Sequence, residues 1–244
     1  MEKTSKKSRQ TQRAVPIAIL LGSLVIALAI ILYAFMQFLS TKSPKQPNQQ
    51  QAFENISYVT TAKSPTMGKT DAPVVVIEYT DFDCPVCETA TQIVLPDLRR
   101  EYIETGKVKF IFKSLPLTAL HSNAFRKTEA AYCARDQGGD DAFFRYYDAL
   151  FTDIQFSLRL DDALVSLAKK HNLDEYQFTS CLTERKYKSL IDAEILEGNL
   201  IGSLGTPTWL IAKSDGDGIR DAVKINGLIE YGSFRTIIET LLAQ

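Results

Sequence analysis

Cys84-Pro85-Val86-Cys87 sets two thiols three residues apart, directly after the run Val74-Val75-Val76-Ile77-Glu78-Tyr79. On a helix that spacing puts both sulfurs on one face, able to close a small ring. A strand-to-helix junction places Cys84 at the helix N-terminus, where unpaired N–H groups and the positive dipole end favour a thiolate. Pro85 falls at the first helical position, where its missing N–H costs nothing. The chemistry that follows is exchange of a disulfide with another thiol pair. A zinc half-site is the competing reading, but structural zinc needs four N or S ligands, usually in two clusters. The sequence has no second C-x-x-C and no paired histidines. The reading therefore calls for no metal and no cofactor.

Four cysteines in all permit three pairings. Cys84 and Cys87 are the local pair, which leaves Cys133 and Cys181, each inside a helical pattern. Two independent buried thiols are one outcome. A structural Cys133–Cys181 disulfide is favoured if the domain lies outside the cytosol, where spare thiols are oxidised.

The elements that must carry these residues follow from pattern. Val74–Tyr79 is apolar on both parities, as in a central strand buried on both faces. A helix is expected from about Cys84 to Thr105, interrupted at Pro96 and ended by Gly106. Val108–Lys113 is a second strand, so β-α-β puts the cysteines at the carboxyl edge of a sheet, where open α/β sheets present their chemistry. Residues from about 117 to 204 read as helical. Their aromatic face, Phe143-Phe144 with Tyr146, Tyr147, Leu150 and Phe151, is a core stripe and not a cofactor box. Thr208–Ala212 and Ala222–Asn226 read as two strands joined by a turn over Ser214–Gly218, and a last helix runs from Gly232 to Ala243. His121 and His171, the only histidines, read as surface or helix-end residues without a catalytic role.

Ahead of this domain, Ala14 to Leu39 contains no charged residue. A helix of that length crosses a hydrocarbon core of about 30 Å. A cleaved secretory signal would be shorter and end in a small-x-small site, so an uncleaved anchor is expected over 14–39. Lys3, Lys6, Lys7, Arg9 and Arg13 precede it against Glu2 alone, which keeps residues 1–13 cytoplasmic and sends the remainder outward. The polar, proline-bearing stretch 40–57 reads as a tether. The outer part then carries 23 Lys and Arg against 28 Asp and Glu, a balance unsuited to nucleic acid.

With those elements in place, the chain resembles the DsbA-like branch of the thioredoxin superfamily, in particular its membrane-anchored members. Four segments carry the resemblance: Gly68–Pro73 leading into Val74–Cys87, Leu95-Pro96-Asp97-Leu98 with Gly106-Lys107-Val108, Ala130–Ala134, and Gly205-Thr206-Pro207-Thr208. The resemblance covers roughly residues 58–243 and implies an α/β thioredoxin fold interrupted by a helical insertion at about 117–204. It implies that Cys84 is the exposed nucleophile and Cys87 the resolving thiol. It also implies that Thr206-Pro207 is a cis-proline loop whose backbone pairs with extended substrate. Glu78 stands where the superfamily has a buried carboxylate able to relay a proton to or from Cys87; a strand-end glutamate without a role is the alternative. Val86 occupies the place where the best-known oxidase has histidine, so the redox potential does not carry across.

The expected activity is an extracytoplasmic oxidase that donates disulfides to exported cysteine-containing proteins. An integral-membrane, quinone-linked partner would reoxidise it, and the protein is expected to be a monomer. The same fold also serves reductases and isomerases, and a Cu(I)-binding metallochaperone is the alternative from another class.

Overall fold

The computed structural model describes residues 27–33, 35–36, 58–153 and 159–244. The chain divides into two units, Met1–Gln50 and Gln51–Gln244. In the first, residues 27–33 and 35–36 are helical with exposed side chains. The expected cytoplasmic segment 1–13, most of the expected anchor over 14–39 and the expected tether over 40–57 lie outside the described residues. Among the described residues no helix is long and apolar enough to cross a membrane.

The second unit is built on a five-stranded sheet ordered β2-β4-β3-β5-β7. Its strands are β2 (Thr66–Met67), β3 (Val74–Thr80), β4 (Val108–Ser114), β5 (Thr208–Lys213) and β7 (Val223–Asn226). β3 lies at the centre, parallel to β4 and antiparallel to β5, with Glu78 opposite Phe112 on one side and Trp209 on the other. Every residue of β3 is buried, which is why its apolar run shows no alternation. β1 (Val59–Thr60) and β6 (Gly218–Ile219) form a separate two-stranded ribbon. The expected turn over Ser214–Gly218 thus ends in a short strand that leaves the main sheet to pair with Val59–Thr60.

The pleat divides β3 between two cores. Val74 and Val76 join the larger one with Phe110, Phe112, Trp209 and the helices, while Val75, Ile77 and Tyr79 face a smaller one with Ile111, Leu210 and Ala212. Glu78 and Thr80 share the parity of Val74 and Val76, so their side chains belong to the larger face. Phe112 is fully buried there, with the rings of Phe82, Tyr132, Phe143 and Tyr147 at 4.8–6.0 Å.

The helix expected over 84–105 is three pieces. α1 (Pro85–Ile93) stops at Val94, α2 (Leu95–Leu98) contains Pro96, and a π-helical turn spans Arg99–Ile103. Pro96 has no N–H to return to the preceding turn, which breaks the ladder there, and the wider turn re-pairs it.

The helical insertion comprises α3 (Ala124–Thr152), α4 (Leu160–Lys170), α5 (Glu175–Thr183) and α6 (Lys188–Leu200). α3 is bent at Gly138 and Gly139, and Gly139 has φ +65° and ψ −156°, a region open essentially to glycine. A disulfide joins Cys133 of α3 to Cys181 of α5, with Cα atoms 5.9 Å apart. Fully buried Glu194 of α6 accepts hydrogen bonds from Ser114 at the end of β4 and from Tyr132 of α3, which ties the insertion to the sheet. α7 (Tyr231–Leu242) closes the unit with Phe234 edge-on to Trp209.

Candidate active site

β3 ends at Thr80, and the turn Asp81-Phe82-Asp83 delivers the chain to Cys84. The Cys84 N–H donates to Asp81 O at 3.1 Å, and the Asp83 N–H donates to Asp81 Oδ1 at 2.7 Å. Cys84 is the extended N-cap of α1 and Pro85 its first residue. The resulting position is a sulfur at a helix N-terminus beside free N–H groups.

The two thiols are free and differ in surroundings. Cys84 is 7% exposed and its Sγ contacts the Thr206 carbonyl at 3.4 Å; Cys87 is completely buried. Hydrogen bonding from the Cys87 thiol, opposed by partial burial and helped by Thr206 and the N–H groups of Cys87 and Val86, lowers the Cys84 pKa to about 5. Burial, reinforced by Cys84 and Glu78, pushes the Cys87 thiol far up. A proton shared between the sulfurs therefore rests on Cys87 and the negative charge on Cys84.

Thr206-Pro207 is a cis peptide facing this pair, and the Pro207 carbonyl accepts from Gly227 N at 2.7 Å. Glu78 lies on the buried side, 1% exposed, with Oε2 accepting from the Tyr147 hydroxyl at 2.8 Å. Tyr147 also meets Thr91 of α1 at 2.9 Å. Desolvation, only partly offset by Tyr147 and Thr80, raises the Glu78 pKa to about 7. Glu78, Cys84 and Cys87 thus meet, at one edge of the sheet, Thr206 and Pro207 from a segment 122 residues beyond Cys84. Cys133 and Cys181 belong to the insertion instead.

Several groups at this site are not among those the sequence reading singled out. Asp81 is fully buried, and its Oδ2 accepts from Leu117 N at 2.7 Å and pairs with His121 Nδ1 at 2.8 Å. The Asp81 carboxylate raises the His121 pKa, with a smaller contribution from Cys84. His121 is accordingly a partner of the active-site turn, a role that reading it as a surface or helix-end residue missed. His171 does cap the end of α4. Lys127 of α3 donates to Phe82 O at 3.1 Å and pairs with Asp83 at 2.5 Å, holding the turn from the insertion side. The pattern Asp81-x-Asp83 before Cys84 is the one sequence cue to these contacts. Beside Cys84 opens a cavity of about 300 Å³ lined by Phe82, Asp83, Glu88, Lys127 and Phe151, among others. Among the described residues no cluster of three or more His, Cys, Asp or Glu is placed to hold a metal ion.

Comparison with known proteins agrees with this geometry. A thioredoxin family model matches residues 60–231. The chain is 29% identical over 167 residues to a probable disulfide bond formation protein D of Bacillus cereus, covering 65% of this chain and 76% of that protein. It is 34% identical over 144 residues, 59% of its length, to the Na(+)/H(+) antiporter NhaA 3 of Salinispora tropica, of which it spans only 21%. Among solved structures, alpha-DsbA1 of Wolbachia pipientis superposes with a TM-score of 0.65 at 25% identity, over 75% of this chain and 92% of that one. With a match over most of its length and a dithiol at the helix terminus, the chain belongs to the DsbA-like thiol-disulfide oxidoreductase family of the thioredoxin superfamily.

Proposed function

We propose that this chain is an extracytoplasmic oxidase that passes the Cys84–Cys87 disulfide to exported cysteine-containing proteins. Residues 14–39 anchor it in the membrane, and an integral-membrane, quinone-linked partner reoxidises it. The observation that carries the reading is the inequality of the two sulfurs. A thiolate stabilised on Cys84 favours the reduced enzyme, so its disulfide is readily given away. The Cys133–Cys181 disulfide supports an oxidising compartment.

A substrate thiolate attacks Cys84 Sγ, the more accessible sulfur, and the bond to Cys87 breaks. The electron pair leaves on Cys87, which takes up a proton with Glu78 as its donor. The second substrate thiol then attacks the substrate sulfur of the mixed disulfide. A substrate disulfide departs, and Cys84 remains as thiolate. The Thr206 backbone beside Cys84 offers an edge along which an extended segment pairs as an added strand.

Mixing the oxidised protein with a reduced, unfolded cysteine-containing protein tests this reading. One substrate disulfide should form for every two thiols that appear on the chain. Preferential reduction of substrate disulfides by the dithiol form would make it a reductase. Tight Cu(I) binding without thiol exchange would make it a metal carrier.

A further inference from the structure

Thr80 is the last residue of β3, and its side chain is fully buried on the face beneath α1. Its hydroxyl has no hydrogen-bond partner. Glu78 lies two residues earlier on the same face, and its Oε1 is likewise buried and unpartnered, while Oε2 is taken by Tyr147. Two polar atoms left idle side by side call for an explanation, because buried polar groups are nearly always paired. Packing does not supply one. Valine has the same shape as threonine, suits a strand equally well, and already fills Val74, Val75 and Val76.

Cys87 of α1 is the third member of the group, fully buried above this face. Burial and the neighbouring Glu78 charge keep the Cys87 thiol protonated, while the Thr80 hydroxyl acts the other way and favours its ionised form. Thr80 acts on the Glu78 carboxylate in the same way. The hydroxyl is therefore a neighbour of both a sulfur that must gain a proton and a carboxyl that holds one. Rotation about its Cα–Cβ bond re-aims the hydroxyl without moving the backbone. The other ionisable groups facing this spot are Tyr147 from α3, already bonded to Glu78, and Cys84 from α1. Glu194 of α6 is engaged one strand away by Ser114, which lies opposite Thr80.

We infer that the Thr80 hydroxyl is the bridge through which the proton passes between Glu78 and Cys87. The inference rests on the reading of Glu78 as the proton donor. When the Cys84–Cys87 bond breaks and the electron pair arrives on Cys87, Thr80 gives its own proton to that sulfur and takes the one on Glu78. Cys87 ends as a thiol, Glu78 as a carboxylate, and Thr80 is unchanged. On reoxidation the same three groups run in reverse.

Reaction of the oxidised full-length chain with excess dithiothreitol, followed by rapid alkylation of the released thiols, tests this. Rates are taken on either side of pH 7, where Glu78 titrates, and divided by the thiolate fraction of the reagent. General-acid assistance should make the unaltered protein faster on the acid side. Thr80→Val should lose that advantage by roughly tenfold or more, as Glu78→Gln does, and Thr80→Ser should restore it. An acid-side advantage kept in Thr80→Val but lost in Glu78→Gln would overturn the bridge and leave Glu78 as donor by another route. An advantage kept in both would remove Glu78 itself. Equal slowing at every pH, without rescue by serine, would reduce Thr80 to a packing role and also overturn the bridge.

Discussion

Around the Cys84 sulfur the fold gathers a carbonyl, two backbone N–H groups and a neighbouring thiol, whereas Cys87 meets burial and a carboxyl. In the reduced protein, the ultraviolet absorbance of thiolate should therefore appear with a midpoint near pH 5 and vanish in Cys84→Ser. A midpoint near the ordinary thiol value would remove the basis for unequal sulfurs. Cys87→Ser should accumulate mixed disulfides through Cys84, since nothing remains to release them; mixed disulfides through Cys87 in Cys84→Ser would reverse the roles. Glu78 makes a separate prediction. Its carboxyl keeps its proton up to about pH 7 when folded but loses it near 4.5 when unfolded. Between those values the unfolded chain binds fewer protons, so stability falls as pH rises, and the cost is complete above about 7. Glu78→Gln should relieve about 3 kcal/mol of it at alkaline pH and little at pH 4, by denaturant unfolding of the reduced protein. A stability difference independent of pH would contradict the burial argument.

At the scale of elements, the insertion depends on one covalent link and one special backbone position. The Cys133–Cys181 bridge spans 48 residues, a loop whose closure is worth about 4 kcal/mol in the chain-entropy account. Cys133→Ser with Cys181→Ser should lower the unfolding midpoint accordingly while thiol exchange continues. Loss of exchange in a still-folded double variant would show that the bridge serves the active site. At Gly139 nothing would touch an added Cβ, so Gly139→Ala isolates the backbone cost of φ +65° and ψ −156°. A destabilisation of about 1–3 kcal/mol is expected, and none would mean the bend in α3 relaxes freely.

β3, β4, β5, β7 and α7 were legible in the sequence because each carries its signal in consecutive residues, whereas 117–204 read only as helical, without its division into α3 to α6. The break near Pro96 was legible too, but the π-helical turn after it was not, since it depends on how the ladder is repaired. β1, β2 and β6 are two residues each and exist only through distant partners, so no local pattern marks them. The site divides the same way. Cys84-x-x-Cys87 is a contiguous motif, whereas the Asp81–His121 pair joins residues 40 apart through a loop the sequence does not position.

For the whole molecule, the proposal joins a redox domain to a membrane anchor, and each part can fail alone. Alkaline extraction should leave the full-length chain with the membranes if residues 14–39 span them. A soluble product beginning near residue 40 would identify a cleaved leader instead. Residues 14–244 carry 23 Lys and Arg against 28 Asp and Glu, a net balance that does not suggest a nucleic-acid partner.

The direction of electron flow is a property of the molecule as a whole, because it is set by every group that stabilises one redox state over the other. Equilibration of the Cys84/Cys87 couple against glutathione measures it directly. The lowered Cys84 pKa predicts an oxidising couple, at about −200 mV or above. A value near about −270 mV, where thioredoxin operates, would contradict the oxidase and make this chain a reductant.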